Sequence, residues 1–165
     1  MELPDPDGPD VWELHLGKLV KVELPKKGPY NLQVLIRELL IKRLSRRRWL
    51  TEIHLPYSLT RNYDVRAADV GVVLRKTWEA DPDADYLIGS PDLVIQIKSR
   101  SNRDRKMGEY AILHITHGAQ AVWLVRPERR EVIVITAAGR EIYGPGQEIP
   151  LPGKATLPAS NIFPI

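Results

Sequence analysis

The order of periodic segments predicts an α/β domain: a central mixed β-sheet flanked by two main helices, with an N-terminal β-hairpin. Three observations carry that prediction. Two stretches repeat apolar residues at helical spacing, several short runs are apolar in the manner of strands, and Gly or Pro punctuates the joints between them. The chain has 165 residues, 43% of them hydrophobic and 27% charged, which suits one domain with a substantial core and not two.

Residues 1–10 (MELPDPDGPD) are rich in Pro and Asp and read as a loose acidic arm, leaving residues 11–165 as a single domain. WELHLGKLVKVEL, residues 12–24, alternates around Leu16-Gly17-Lys18 as a hairpin does, and Lys26, Lys27, Gly28 and Pro29 end it. From Asn31, a candidate N-cap, Leu32, Leu35, Ile36, Leu39, Leu40 and Leu44 follow i, i+3, i+4 spacing and predict an amphipathic helix. Strands are expected at 51–55, 68–74 and 92–98, with residues 77–91 as an acidic surface excursion. Ser101 with Asp104 three residues on resembles a capping box, so a second helix is expected from there to His117, stopped by Gly118. A hairpin at 121–126 and 131–136 follows, and the Pro- and Gly-rich tail has room for one short strand.

The longest apolar runs are about six residues, well short of a membrane span, and the N-terminus does not read as a signal peptide. There is no cysteine, which removes disulfides, thiol catalysis and Cys-based zinc sites. A cytoplasmic protein is expected. The formal charge is +3, from 24 Lys+Arg against 21 Asp+Glu, and says little by itself. Its distribution says more. Glu2, Asp5, Asp7, Asp10 and Glu13 open the chain without a basic partner, whereas Arg37, Lys42, Arg43, Arg46, Arg47 and Arg48 face only Glu38. A second basic cluster is Lys98, Arg100, Arg103, Arg105 and Lys106. Such clusters suit phosphate, although cations also suit solvated helix ends.

The segment richest in chemistry is Pro91-Asp92-Leu93-Val94-Ile95-Gln96-Ile97-Lys98. On a strand, Leu93, Ile95 and Ile97 share one face, and Asp92, Val94, Gln96 and Lys98 the other. A plain half-exposed strand would show the same pattern. Asp69 on the neighbouring strand adds a carboxylate, and a carboxylate facing an oxygen-bearing residue and a lysine makes a place for a hard cation and a phosphate.

Asp69 followed by Gln96-x-Lys98 resembles the PD-(D/E)XK nuclease superfamily. Over nearly the whole chain, five pieces in order resemble the Uma-two family, a group classed as restriction endonucleases: WELHLGKLVKVELP, RAADVGVV, SPDLVIQIKSRS, GEYAILHITHG with AVWLVRP, and IPLPGKATLPASNIF. The resemblance implies a restriction-endonuclease-like fold, a divalent metal and a DNA substrate. The chain also departs from the family. Gln96 stands where such proteins usually have Glu, Tyr110 where a helix lysine is usual, Tyr30 and Asn31 near a usual histidine, and Gly17-Lys18 for Gly-Glu. Lys98 keeps the superfamily's ordinary lysine position, and Gln-x-Lys also resembles the Mrr-type branch.

Asp92 and Gln96 lie four residues apart on one strand, roughly 13 Å between Cα atoms, too far to share a cation whose ligand oxygens sit within about 4 Å of each other. Asp69 is therefore expected as principal metal ligand and Gln96 as a weaker one. Lys98 is the expected phosphate or water partner, and Asp92 a cap at the strand's start. Arg100, Arg103, Arg105 and Lys106 are expected on the DNA backbone, with Glu13 and Glu38 as further possible carboxylates. Mg2+ or Mn2+ should bind weakly, because Gln96 brings an oxygen without its charge. Tyr110 and Met107 are expected to face the core, and His114 and His117 to have no metal role. Nucleases that cut both strands commonly pair, so a homodimer is expected. The rival reading keeps the fold but not the catalysis, as a decayed module that binds nucleic acid or a protein partner.

Overall fold

The structure, a computed structural model, describes residues 11–22, 24–98 and 104–164, with the side chains of Val11, Asp104 and Arg105 excepted. The hairpin forms as expected, from β1 (Val11–His15) and β2 (Lys18–Val22) around Leu16-Gly17, whose φ angles are both positive. Gly17 is needed there: a Cβ would lie 2.4 Å from the Tyr63 ring.

Helix α1 spans Lys27–Arg43, so it begins four residues before the expected cap. Pro29 is the reason. In the first turn its missing N–H has no intrahelical partner to lose, so Pro and Gly end the hairpin and open the helix in one segment. Asn31 lies inside the helix, and Lys26 occupies the cap position with no side-chain bond.

Strands β3 (Trp49–Ser58), β4 (Arg66–Leu74), β5 (Leu87–Ile88), β6 (Leu93–Ile97), β7 (Ala121–Arg126), β8 (Glu131–Thr136) and β9 (Gly139–Tyr143) form one mixed sheet in the order β5-β3-β4-β6-β7-β8-β9. Short helix α2 (Arg75–Glu79) follows β4, so residues 77–91 are partly structured, ending in β5 alongside β3. Helix α3 (Asp104–Thr116) joins the parallel pair β6 and β7, and Gly118 ends its turn in the left-handed region. The expected helix start at Ser101 lies outside the described residues, as do residues 1–10.

The tail is richer than expected. Besides β9 it forms β10 (Glu148–Pro150), β11 (Thr156–Pro158) and α4 (Ala159–Ile162). Its Pro and Gly residues punctuate short elements whose Ile149, Leu157, Ile162 and Phe163 bury against the sheet.

Both faces of the sheet are covered. Helix α1, α4 and the tail pack on one face over Val70, Val72, Leu93, Ile95 and Trp123, while α3 covers Val94, Val122 and Leu124 on the other. Val94, placed by the sequence on a polar face, is fully buried. A βαβ crossover puts α3 across that face, so β6 is apolar on both sides until Gln96.

Candidate active site

The register of β4 and β6 runs Val72↔Leu93, Gly71↔Val94, Val70↔Ile95. One step further along this antiparallel pair, Asp69 stands opposite Gln96. The ladder ends there because Ile97 donates its backbone N–H to Asp69 Oδ2 at 2.8 Å instead of to a β4 carbonyl. A side chain thus closes the strand end and lies across the start of the Gln96–Lys98 segment.

A second distortion falls beside it. In β3 and β4, Ile53, Val70 and Val72 pack toward α1, whereas Leu55, Tyr57 and Ala68 pack toward α3. Both strands therefore exchange faces between the pairs Ile53↔Val70 and Leu55↔Ala68. His54 and Asp69 occupy that gap, and His54 has φ +51°, uncommon for a residue with a Cβ. The Nε2 atom of His54 lies 3.0 Å from Oε1 of Gln33, a buried residue on the face α1 turns to the sheet.

Electrostatics bind these groups together. Burial pushes the Asp69 carboxyl above its usual range, while the Ile97 N–H and the His54 imidazole oppose that rise and Glu13 adds to it. Glu13, on β1, accepts the Ala67 N–H at 3.1 Å and the His15 ring N–H at 2.6 Å. The hairpin thus brings a second carboxylate to the start of β4.

Behind Gln96 runs a buried polar chain. Gln96 Nε2 donates to the Tyr110 hydroxyl at 2.6 Å, the hydroxyls of Tyr110 and Tyr57 are 3.3 Å apart, and Tyr57 reaches His114 Nε2 at 2.5 Å. His114 Nδ1 lies 2.7 Å from the Tyr110 carbonyl one turn back on α3. Burial raises both tyrosine hydroxyls well above the usual phenol range and lowers the imidazole to about 4. At neutral pH every member is uncharged. Beneath it Arg66, 6% exposed, donates to Asp64, which is fully buried.

The other sequence-selected residues are dispersed. Lys98, half-buried, follows two residues after Gln96 and donates its backbone N–H to Val125. Asp92 sits at the far end of β6 and accepts the Leu74 N–H and the Gln120 amide, in keeping with a capping role. Glu38 is exposed on α1, five residues and so about 140° around the helix from Gln33. Lys106 is exposed on α3; Arg100 and Arg103, and the side chain of Arg105, lie outside what the structure describes. Met107 is buried as expected. Tyr110 faces the core as expected, its ring beside His114, and its hydroxyl meets Gln96. Sequence reasoning set His54 aside for want of metal-ligand spacing and passed over Gln33 and Tyr57, whose only signal was polarity within apolar elements.

A family model described as "Putative restriction endonuclease", Uma2, matches residues 2–164. The chain belongs to the Uma2 family. Among solved structures, the fold is similar to a protein from Anabaena variabilis ATCC 29413 described as "a putative nuclease belonging to DUF820". The TM-score is 0.82 with 20% identity over 98% of this chain and 93% of that one, a likeness of fold. No curated protein matches the sequence. Among the described residues no helix is long and apolar enough to cross a membrane.

The divalent cation typical of restriction-endonuclease-like proteins can be tested against this Uma2 member's own donors. They are hard oxygens: the Asp69 carboxylate and the Gln96 carbonyl, with Glu13 nearby. Among the described residues no three His, Cys, Asp or Glu side chains cluster as a metal site. Asp69 and Gln96 would offer Mg2+ or Mn2+ one carboxylate and one carbonyl, the rest of the shell coming from other oxygens.

Proposed function

We propose that this protein is a divalent-metal-dependent endonuclease hydrolysing DNA phosphodiester bonds, with Asp69, Gln96 and Lys98 as its working set. What carries the reading is the opposition of Asp69 and Gln96 on adjacent strands, with a lysine two residues beyond. The cation, when bound, supplies Lewis acidity at the phosphoryl oxygen and lowers the pKa of water. Asp69 offers its free oxygen as the anionic ligand while Ile97 holds the other. Gln96 offers a neutral carbonyl. The Lys98 ammonium steadies the scissile phosphate or the attacking water, and Arg100, Arg103, Arg105 and Lys106 carry the flanking backbone. Two copies pair in this reading, one for each strand.

Cleavage of supercoiled and linear DNA with Mg2+ or Mn2+ tests it. Asp69→Asn and Lys98→Ala should each abolish the activity while leaving the thermal melt in place. Protein that is inert on varied DNA with either metal, and stays inert as Gln96→Glu, overturns the proposal.

The single formal charge of the donor pair favours one other reading, a nuclease-fold module that binds nucleic acid without cutting it. DNA affinity that falls steeply with salt yet ignores metal would be its signature.

A further inference from the structure

Glutamine is an ambiguous metal ligand, because its amide presents either a carbonyl oxygen or an NH2 group that repels a cation. In this chain a buried row of polar groups behind it favours one orientation. The Tyr110 backbone carbonyl can only accept, so His114 Nδ1 must carry the proton it donates there. In the neutral ring Nε2 is then an acceptor, and the Tyr57 hydroxyl must donate to it. Tyr57 has spent its one proton, so toward Tyr110, 3.3 Å away, its oxygen can only accept. The Gln96 amide is placed with Nε2 2.6 Å from the Tyr110 oxygen, which accepts from it. Only the NH2 side of that amide can donate. The backbone carbonyl thus fixes the His114 and Tyr57 protons, and the placement of the Gln96 amide agrees with a row that runs outward in the same sense.

We propose that Tyr110, backed by Tyr57 and His114, is a positioning residue that holds the Gln96 NH2 inward and turns its carbonyl oxygen to the Asp69 side. The functional consequence rests on the reading of Asp69 and Gln96 as a cation site; the amide's orientation does not. Tyr57 and His114 are fully buried and the Tyr110 and His114 rings lie 4.1 Å apart, so the row has little freedom to reverse. A carboxylate in place of Gln96 has two equivalent oxygens and needs no such orientation, which gives the proposal a test specific to glutamine.

The test is a double-mutant cycle of Tyr110→Phe and Gln96→Glu, with Mn2+ affinity measured by calorimetry and the Gln96 side-chain amide followed by NMR. In the parent chain, an NOE from one Gln96 Nε2 proton to the Tyr110 ring and slow amide exchange are expected. Tyr110→Phe should speed that exchange and weaken Mn2+ binding by about three- to tenfold, the range of one net hydrogen bond. In the Gln96→Glu background the same Tyr110→Phe change should cost little affinity. An equal loss in both backgrounds means a merely structural tyrosine and overturns the proposal, as does no loss in the Gln96 background. Absence of Mn2+ binding in every variant overturns the metal reading, while the NMR readout still decides the orientation.

Discussion

The Asp69 carboxylate accepts the Ile97 backbone N–H at 2.8 Å, so a side chain of β4 finishes the hydrogen-bonding of β6 where the ladder stops. That bond gives Asp69 a structural role. It satisfies a donor that would otherwise be stranded at a strand end, and it holds the carboxylate beside Gln96.

Restoring the missing charge is the sharpest chemical prediction. Gln96→Glu places a second carboxylate opposite Asp69, and Mn2+ affinity and cleavage should rise by about tenfold or more. Two facing carboxylates raise each other's pKa, and burial already raises that of Asp69, so the gain should grow as pH increases and shrink in acid. Calorimetric titrations with Mn2+ at pH 6 and pH 8 check the sign; a gain that is larger at pH 6 would contradict it.

His114 should make the fold acid-sensitive. Burial lowers its pKa from 6.5 to about 4, so between those values the unfolded chain binds a proton that the native chain refuses. Stability attributable to this residue is full above about 6.5 and falls as the pH drops toward 4, by on the order of 3 kcal/mol in all. Urea unfolding at pH 7 and pH 4.5 reads it. In His114→Gln the difference between the two pH values should be smaller than in the parent; an unchanged difference would place the acid sensitivity elsewhere.

Gly71 should resist any side chain. A Cβ there would meet Leu55 Cδ2 at 2.7 Å and Leu55 Cβ at 3.0 Å, and the latter cannot swing aside. Gly71→Ala is expected to cost about 1–3 kcal/mol by overpacking. Combining it with Leu55→Ala should cost less than the sum of the two single changes, measured by chemical denaturation, because the residues share one space. Strict additivity would argue against this clash.

The buried pair under the polar row should be unequal in its failures. Asp64 accepts the Leu16 N–H at 3.0 Å as well as the Arg66 guanidinium at 2.9 Å. Asp64→Ala leaves Arg66 buried and unpaired and is expected to cost about 3–5 kcal/mol. Removing both charges in Asp64→Ala with Arg66→Met should recover part of that loss in a thermal melt. If the double variant is no more stable than Asp64→Ala, the stranded cation is not the cause.

How much of this was legible beforehand differs from residue to residue. Periodicity predicts α1, β6 and the hairpin of β7 and β8, because apolar spacing is a local property that burial later honours. Asp69, Gln96 and Lys98 could be selected because their types and order resemble a known pattern. The start of α1 was misplaced, since Pro29 ends one element and opens another with the same ring. The tail looked irregular because its elements gain their stability from the α1 face of the sheet and not from their own length.

What the sequence by itself determined is therefore an outline: the main strands and helices, which family pattern they resemble, and where an amide stands for that pattern's usual carboxylate. Only the tertiary structure decided who meets whom. The register that sets Asp69 against Gln96, the exchange of faces that brings His54 alongside, and the tyrosine under the glutamine all join residues distant in the chain. Such contacts depend on strand pairing and helix packing, and no local spacing encodes them.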